Sequence, residues 1–211
     1  MNEHAYSVIE KRMQRTAEAL KQNQMDAYCV KTAAEARQLA EQLMPAGPTV
    51  GCGGSVTLAE TGIMELLAGG SYNFLDRRGL SGEALDKLFR DTFSADWYCM
   101  SSNAITEQGE LYNVDGNANR IAALAFGPKN VLIVAGYNKI VPDLAAAEAR
   151  VKAIAAPANT ERLHCKTPCA VTGKCEDCHS PARICCSTLI CAQQRIPGRI
   201  KVILVGEELG F

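Results

Sequence analysis

At 211 residues the chain is long enough to bury a core without covalent staples, and its hydrophobic (47%) and charged (21%) shares are those of an ordinary globular protein. Its 22 Lys and Arg against 23 Asp and Glu leave a net charge of −1, without the basic excess of a nucleic-acid or membrane-surface binder. The first residues are charged throughout and no run is long and apolar enough to span a bilayer, so a cytoplasmic protein with neither nucleic-acid nor membrane partners is expected.

Ile9, Met13, Ala17 and Leu20 recur at helical spacing and predict an amphipathic helix of about five turns. Its apolar stripe could serve a homodimer interface or pack on the protein's own sheet. DAYCV at Asp26–Val30 reads as a strand, and Thr32 caps a helix that Pro45 and Gly47 end near Met44. TVGCGG is a strand running into a glycine turn, followed by a helix from Ser55 to Gly69–Gly70. YNFLD is strand-like, and Ser81 caps a helix to about Phe93. ADWYCMS is a strand, NAITEQGELYNVDG a loop with a hairpin, and Asn119 to Phe126 a short helix. NVLIVAGY is the clearest buried strand, Asp143 to Ala155 an alanine-rich helix, and RIKVILVGEEL a last strand. This alternation predicts an α/β fold: a mostly parallel sheet with helices on both faces and ligands at the carboxyl ends of its strands.

Three polar segments fall at such ends. In VGCGGSVTLAETG, Gly53 and Gly54 let the backbone approach a ligand, while Ser55, Thr57 and a helix N-terminus offer donors to an anion. A tight turn with a serine cap would read the same way, and no Walker motif or strict dinucleotide fingerprint accompanies it, so no nucleotide cofactor is evident. In SSNAITEQGELYNVDGNANR the candidates are Asn103, Thr106, Glu107, Asn119 and Arg120, with Glu107 as a candidate general base or else a structural carboxylate. GYNKIV adds Asn138 and Lys139, the lysine being able to meet an anion.

Seven of the 10 cysteines crowd into HCKTPCAVTGKCEDCHSPARICCSTLIC, residues 164–191. A reducing compartment favours metal ligation over disulfides there. Cys175-x2-Cys178 is a ligand-type knuckle, and with Cys169 and Cys185 it supplies four thiolates for an iron–sulfur cluster or, alternatively, zinc. Cys165, His164 and His179 are substitutes, and free thiols or a redox dithiol are the remaining readings. Cys29 and Cys99 read as small core residues.

Taken together, GGSVTLAETG, SNAITEQGELYNVDGNANR, GYNKIVPDLAAAEARV and TPCAVTGKCEDCHSPARICC resemble the LUD-domain family, lactate-utilisation proteins of the LutC/YkgG type. The resemblance covers nearly the whole chain. It implies one domain over residues 1–211, of the NagB/RpiA/CoA-transferase fold shared with sugar-phosphate isomerases, with the cysteine-rich segment inserted near the C-terminus. It implies a pocket lined by Gly53, Gly54, Ser55, Asn103, Thr106, Glu107, Asn119, Arg120, Asn138 and Lys139. It also implies a part in oxidising lactate, beside iron–sulfur partner subunits. The function expected is an accessory redox protein that binds a small anionic metabolite. An isomerase- or transferase-type enzyme with structural zinc, and a metabolite- or redox-sensing module, are the alternatives.

Overall fold

In the computed structural model, which describes residues 2–211, strand and helix alternate as the hydrophobic pattern dictates. Helix α1 (Glu3–Gln22) leads to β1 (Asp26–Val30), α2 (Ala33–Leu43), β2 (Thr49–Cys52), α3 (Val56–Glu60), α4 (Ile63–Ala68), β3 (Asn73–Phe74) and α5 (Gly82–Asp91). Next come β4 (Trp97–Met100), β5 (Ala104–Thr106), β6 (Leu111–Asp115), α6 (Asn119–Phe126), β7 (Asn130–Gly136) and β8 (Ile140–Val141). α7 (Leu144–Arg150) runs through a π turn at Val151–Ala155 into α8 (Ala156–Arg162), followed by α9 (Pro168–Thr172), β9 (Ser187–Cys191) and β10 (Ile200–Val205). No helix among the described residues is long and apolar enough to cross a membrane.

Six strands form a parallel sheet in the order β1-β10-β7-β4-β2-β3. Its central strands are apolar on both sides because both sides are covered. Val131, Ile133 and Ala135 of β7 face a core shared with Met13, Ala17 and Leu20 of α1 and Leu124 of α6. Leu132 and Val134 face the opposite core, with Ala36 and Ala40 of α2, Leu58 of α3 and Leu67 of α4. A second, four-stranded sheet has the order β8-β5-β6-β9, with β5 and β6 antiparallel as a hairpin. Its Ile105, Leu111 and Ile140 join the α1 core, while Ala104, Tyr112 and Val141 pack on Ala147 and Val151 of the long helix.

Several expectations change in detail. The helix expected from Ser55 to Gly69–Gly70 is broken, because Gly62 takes φ +70° between α3 and α4. The alanine-rich helix does not end at Ala155 but continues to Arg162, passing Pro157 near the start of α8. Ser81 stands at the N-cap of α5 without making a side-chain capping bond, whereas Thr32 and Ser55 accept from Glu35 and Leu58 N–H groups. Cys99 is fully buried, but Cys29 is exposed, since β1 is an edge strand of the sheet. The second sheet was not anticipated: β8 is two residues long, and β9 lies inside the cysteine-rich stretch.

The hairpin is tied to α1 at its turn. Asn23 Nδ2 donates to the carbonyls of Gln108 (2.9 Å) and Gly109 (3.0 Å). Gly109 has φ +79°, and a Cβ there would come within 2.6 Å of the backbone of Ala19 and Leu20. Left-handed strain and a backbone clash therefore act together. Gly109→Ala should cost at least about 2 kcal/mol in urea unfolding, while Gln108→Ala at the neighbouring exposed position stays within about 0.5 kcal/mol.

Candidate functional site

β2, β4 and β7 are neighbours in register, with Cys52 beside Cys99 and Met100 beside Ile133, so the loops that follow them emerge together. They open onto a cavity of about 350 Å³. Gly54 and Ser55 reach it from the loop after β2 and Thr57 from the first turn of α3, Ser101 to Asn103 from the loop after β4, and Lys139 from the turn after β7. β6 and the start of α6 add Asp115, Asn119 and Arg120, and the long helix adds Val151, Ala155, Asn159 and Arg162. The cysteine-rich segment closes one side with Arg183, Ile184 and Cys185.

Lys139 is only 3% exposed. Its Nζ donates to Thr57 Oγ1 at 2.9 Å and to Ser101 Oγ at 3.0 Å, joining the three loops. Burial, then repulsion from Arg150, pulls its pKa down to about 7; Glu60 opposes this and Arg120 adds a smaller downward push. Arg150 is itself buried and spans the same loops, donating to the carbonyls of Asn138 (3.0 Å) and Asn103 (2.6 Å).

Asp115 is the cavity's acidic side chain, and it is already occupied. Its Oδ2 accepts from the N–H groups of Arg120 (2.8 Å) and Ile121 (3.3 Å) and lies 3.4 Å from Arg120 Nε. It thereby caps α6, whose N-cap residue Ala118 has no side-chain acceptor and sits at φ +60°. Arg120 also donates to the Val114 carbonyl at 2.7 Å. Arg77 stacks over Phe89, 5.6 Å from its ring centroid, and its Nη1 faces Gly54, where a Cβ would lie 2.9 Å away.

Of the expected ligand residues, Gly54, Ser55, Thr57, Asn103, Asn119, Arg120 and Lys139 line this cavity. Gly53 stands behind the wall, where a Cβ would meet Arg120 and the Tyr98 hydroxyl at 3.0 Å. Thr106 is used within the hairpin, bonding Glu110. Asn138 holds the passing C-terminal strand exit, accepting from Leu209 N–H and donating to the Gly210 carbonyl. Glu107 lies away from the cavity: its carboxylate is 2.7 Å from Arg12 Nε and 3.6 Å from Arg15 Nη2, both on α1. In that position it ties hairpin to helix as an ion pair, the place of a structural carboxylate. Arg77, Arg162 and Arg183 reach the cavity without having been singled out, because each reads in the sequence as a solvated charge.

The four expected metal ligands are not gathered. Among the described residues no group of three or more His, Cys, Asp or Glu side chains is placed to hold a metal ion. Cys169 is buried with its sulfur 3.4 Å from the hydroxyls of Thr160 and Thr167. Cys175 Sγ lies 3.9 Å from Asp177 Oδ1. Arg183 bonds the carbonyls of Cys178 (2.8 Å) and Cys185 (2.9 Å), and its carbonyl lies 3.3 Å from Cys186 Sγ. As arranged, the thiols do not fit a four-thiolate centre. The segment instead packs on the site: Cys186 N–H donates to the Asp115 carbonyl, and Lys152 of the π turn pairs with Asp177 at 3.1 Å.

Comparison with known proteins places this geometry. Among solved structures, a DUF162 family protein from Deinococcus radiodurans has a TM-score of 0.51 at 14% identity, covering 93% of this chain and 98% of that one, and shares the fold. eIF2B delta from Chaetomium thermophilum covers 54% of this chain and 50% of its own at 20% identity, with a TM-score of 0.35. No curated protein matches the chain. The family model described as LUD domain matches residues 13–205, a span that contains every strand of both sheets and nearly all of the cavity wall. The chain belongs to the LUD domain family.

Proposed function

We propose that this chain is an accessory protein of lactate, or related hydroxy-acid, utilisation whose cavity holds a small anionic metabolite. The observation that carries the reading is charge: Arg77, Arg120, Arg162 and Arg183 line the cavity beside the amine of Lys139, against one acidic side chain, Asp115, already engaged by Arg120 and two N–H groups. Guanidinium groups match carboxylate and phosphate in a planar, two-point fashion, and a partly enclosed site strengthens each contact. A volume of about 350 Å³ suits a small ligand. Family membership supports the metabolic setting. The parallel sheet with its site at the carboxyl edge is in keeping with the NagB/RpiA/CoA-transferase fold group, which is part of the proposal. Work alongside iron–sulfur partner subunits belongs to it as well. The placement of Glu107 weighs against an isomerase that would use it as the base.

An iron–sulfur cluster, or zinc, on Cys169, Cys175, Cys178 and Cys185 is a separate proposal, supported by the cysteine spacing. It requires the segment to close around the metal, withdrawing Cys169 from its two threonines. Such a cluster would supply one-electron transfer; the cavity residues would bind and orient the anion with or without it.

Three measurements test these readings. In calorimetric titration with lactate, pyruvate or phosphate, Arg77→Ala and Arg162→Ala should each weaken binding by about tenfold, the worth of a hydrogen bond to a charged group. Unchanged affinity in both variants would reject the cavity as the anion site. The buried Lys139 releases its proton on folding at any pH between about 7 and the free value of 10.5. The unfolded chain then binds more protons than the native one, so stability rises with pH in that window. Relative to Lys139→Met, the native protein should gain about 1 kcal/mol per pH unit from pH 7 to 9. Anaerobic reconstitution with iron and sulfide tests the cluster: a visible sulfur-to-iron band that Cys175→Ala/Cys178→Ala abolishes supports it, and a colourless product rejects it.

A further inference from the structure

Lys139 is the amine of a cavity otherwise charged by guanidinium groups, and its surroundings are arranged for a neutral nitrogen. Both of its hydrogen-bond partners are hydroxyl oxygens, Thr57 Oγ1 and Ser101 Oγ. Each of these hydroxyls has a backbone carbonyl to donate to: Thr57 to Leu209 at 3.3 Å and Ser101 to Ser102 at 3.4 Å. Each can therefore turn a lone pair to the lysine. A neutral amine has two N–H groups and one lone pair. The two hydroxyls take both N–H groups, which leaves the lone pair in the remaining tetrahedral direction. An ammonium would put a third N–H there, in a site only 3% exposed and beside the buried guanidinium of Arg150.

We propose that Lys139 is a nucleophile, forming an imine with the aldehyde or ketone group of a small compound whose carboxylate or phosphate is held by the cavity arginines. The nitrogen lone pair forms a bond to the carbonyl carbon, and the carbonyl π pair moves to oxygen. The amine's two protons leave with that oxygen as water, and a carbon–nitrogen double bond remains. Nothing is oxidised or reduced. Ser101 Oγ, 3.0 Å from the nitrogen, is placed to pass a proton to the departing oxygen. A lysine held neutral in a desolvated site is the usual way proteins prepare an amine for this chemistry. The inference rests on the anion-binding reading above, and it narrows the ligand from any small anion to one bearing an aldehyde or ketone group.

Reductive trapping tests it. The whole protein is incubated near pH 7.5 with cyanoborohydride and either pyruvate or glycolaldehyde phosphate, and its peptides are mapped by mass. The expected result is the reduced adduct on Lys139, at least tenfold above any other lysine, with one or both probes. The probe that labels tells whether carboxylate or phosphate is preferred. Excess lactate, which lacks an aldehyde or ketone group, should compete without labelling, and folded Lys139→Met should not label. Calorimetric binding of pyruvate and glycolaldehyde phosphate with no adduct on Lys139 overturns the nucleophile and leaves the anion site standing. Absence of both binding and adduct overturns the anion site and the inference with it. Labelling spread over exposed lysines alone also overturns the inference.

Discussion

The structure depends on three adjacent parallel strands that end at one level. β2, β4 and β7 are held there by two apolar cores pressing from opposite sides, so their carboxyl ends cannot slip without turning Val and Ile side chains out of both. The polar connections that follow are then forced into one place. Lys139, bonded to Thr57 and Ser101, and Arg150, bonded to the carbonyls of Asn103 and Asn138, stitch those connections together. Because both are buried nitrogen bases, they also set the electrostatic character of the space they enclose. Packing energy from the cores is thus what holds a desolvated guanidinium and a desolvated amine in position, a situation neither could sustain alone.

That dependence explains what could be read from residues alone. Period and capping were enough to find α1 through Met13, Ala17 and Leu20, α6 at its bounds, and β7 as the apolar centre. The glycine turn after β2 was legible as a turn, but not what crowds it: Arg120 and Tyr98 lie against Gly53 and Arg77 against Gly54. Of the second sheet only the β5–β6 hairpin was legible; its outer strands have no period of their own, since β8 is a pair of residues and Ser187–Cys191 hides among cysteines. Glu107 was ambiguous for a related reason. It lies in a polar motif, but the register of the hairpin points it back to Arg12 and Arg15. Arg77, Arg162 and Arg183 come from three distant stretches, and an arginine on a loop has no local mark that distinguishes a ligand contact from a hydrated surface charge.

The cysteines divide in the same way. Spacing treats them as one population, yet the fold gives them separate surroundings. Cys191 joins the core beneath the small sheet, Cys169 sits between two threonine hydroxyls, and Cys185 stands on the cavity wall next to Arg183. The stretch expected to be an insertion is therefore part of the site's architecture, through β9 on one side and Ile184 against Gly116 on the other. Where a ligand-type spacing and a packed wall coexist, the backbone around the thiols decides which can converge.

The π turn at Val151–Ala155 has a consequence for how Asn159 and Arg162 come to the cavity at all. A π turn amounts to one residue more than a regular helix would hold in the same length. Each residue of an α-helix advances the face by about 100°. Were the same residues wound as an unbroken α-helix, α7 would stay where it is but everything beyond would swing by about that angle, carrying Arg162 off the wall. The surplus residue works as an angular offset: the first half of the helix is phased to the small sheet, the second half to the ligand space.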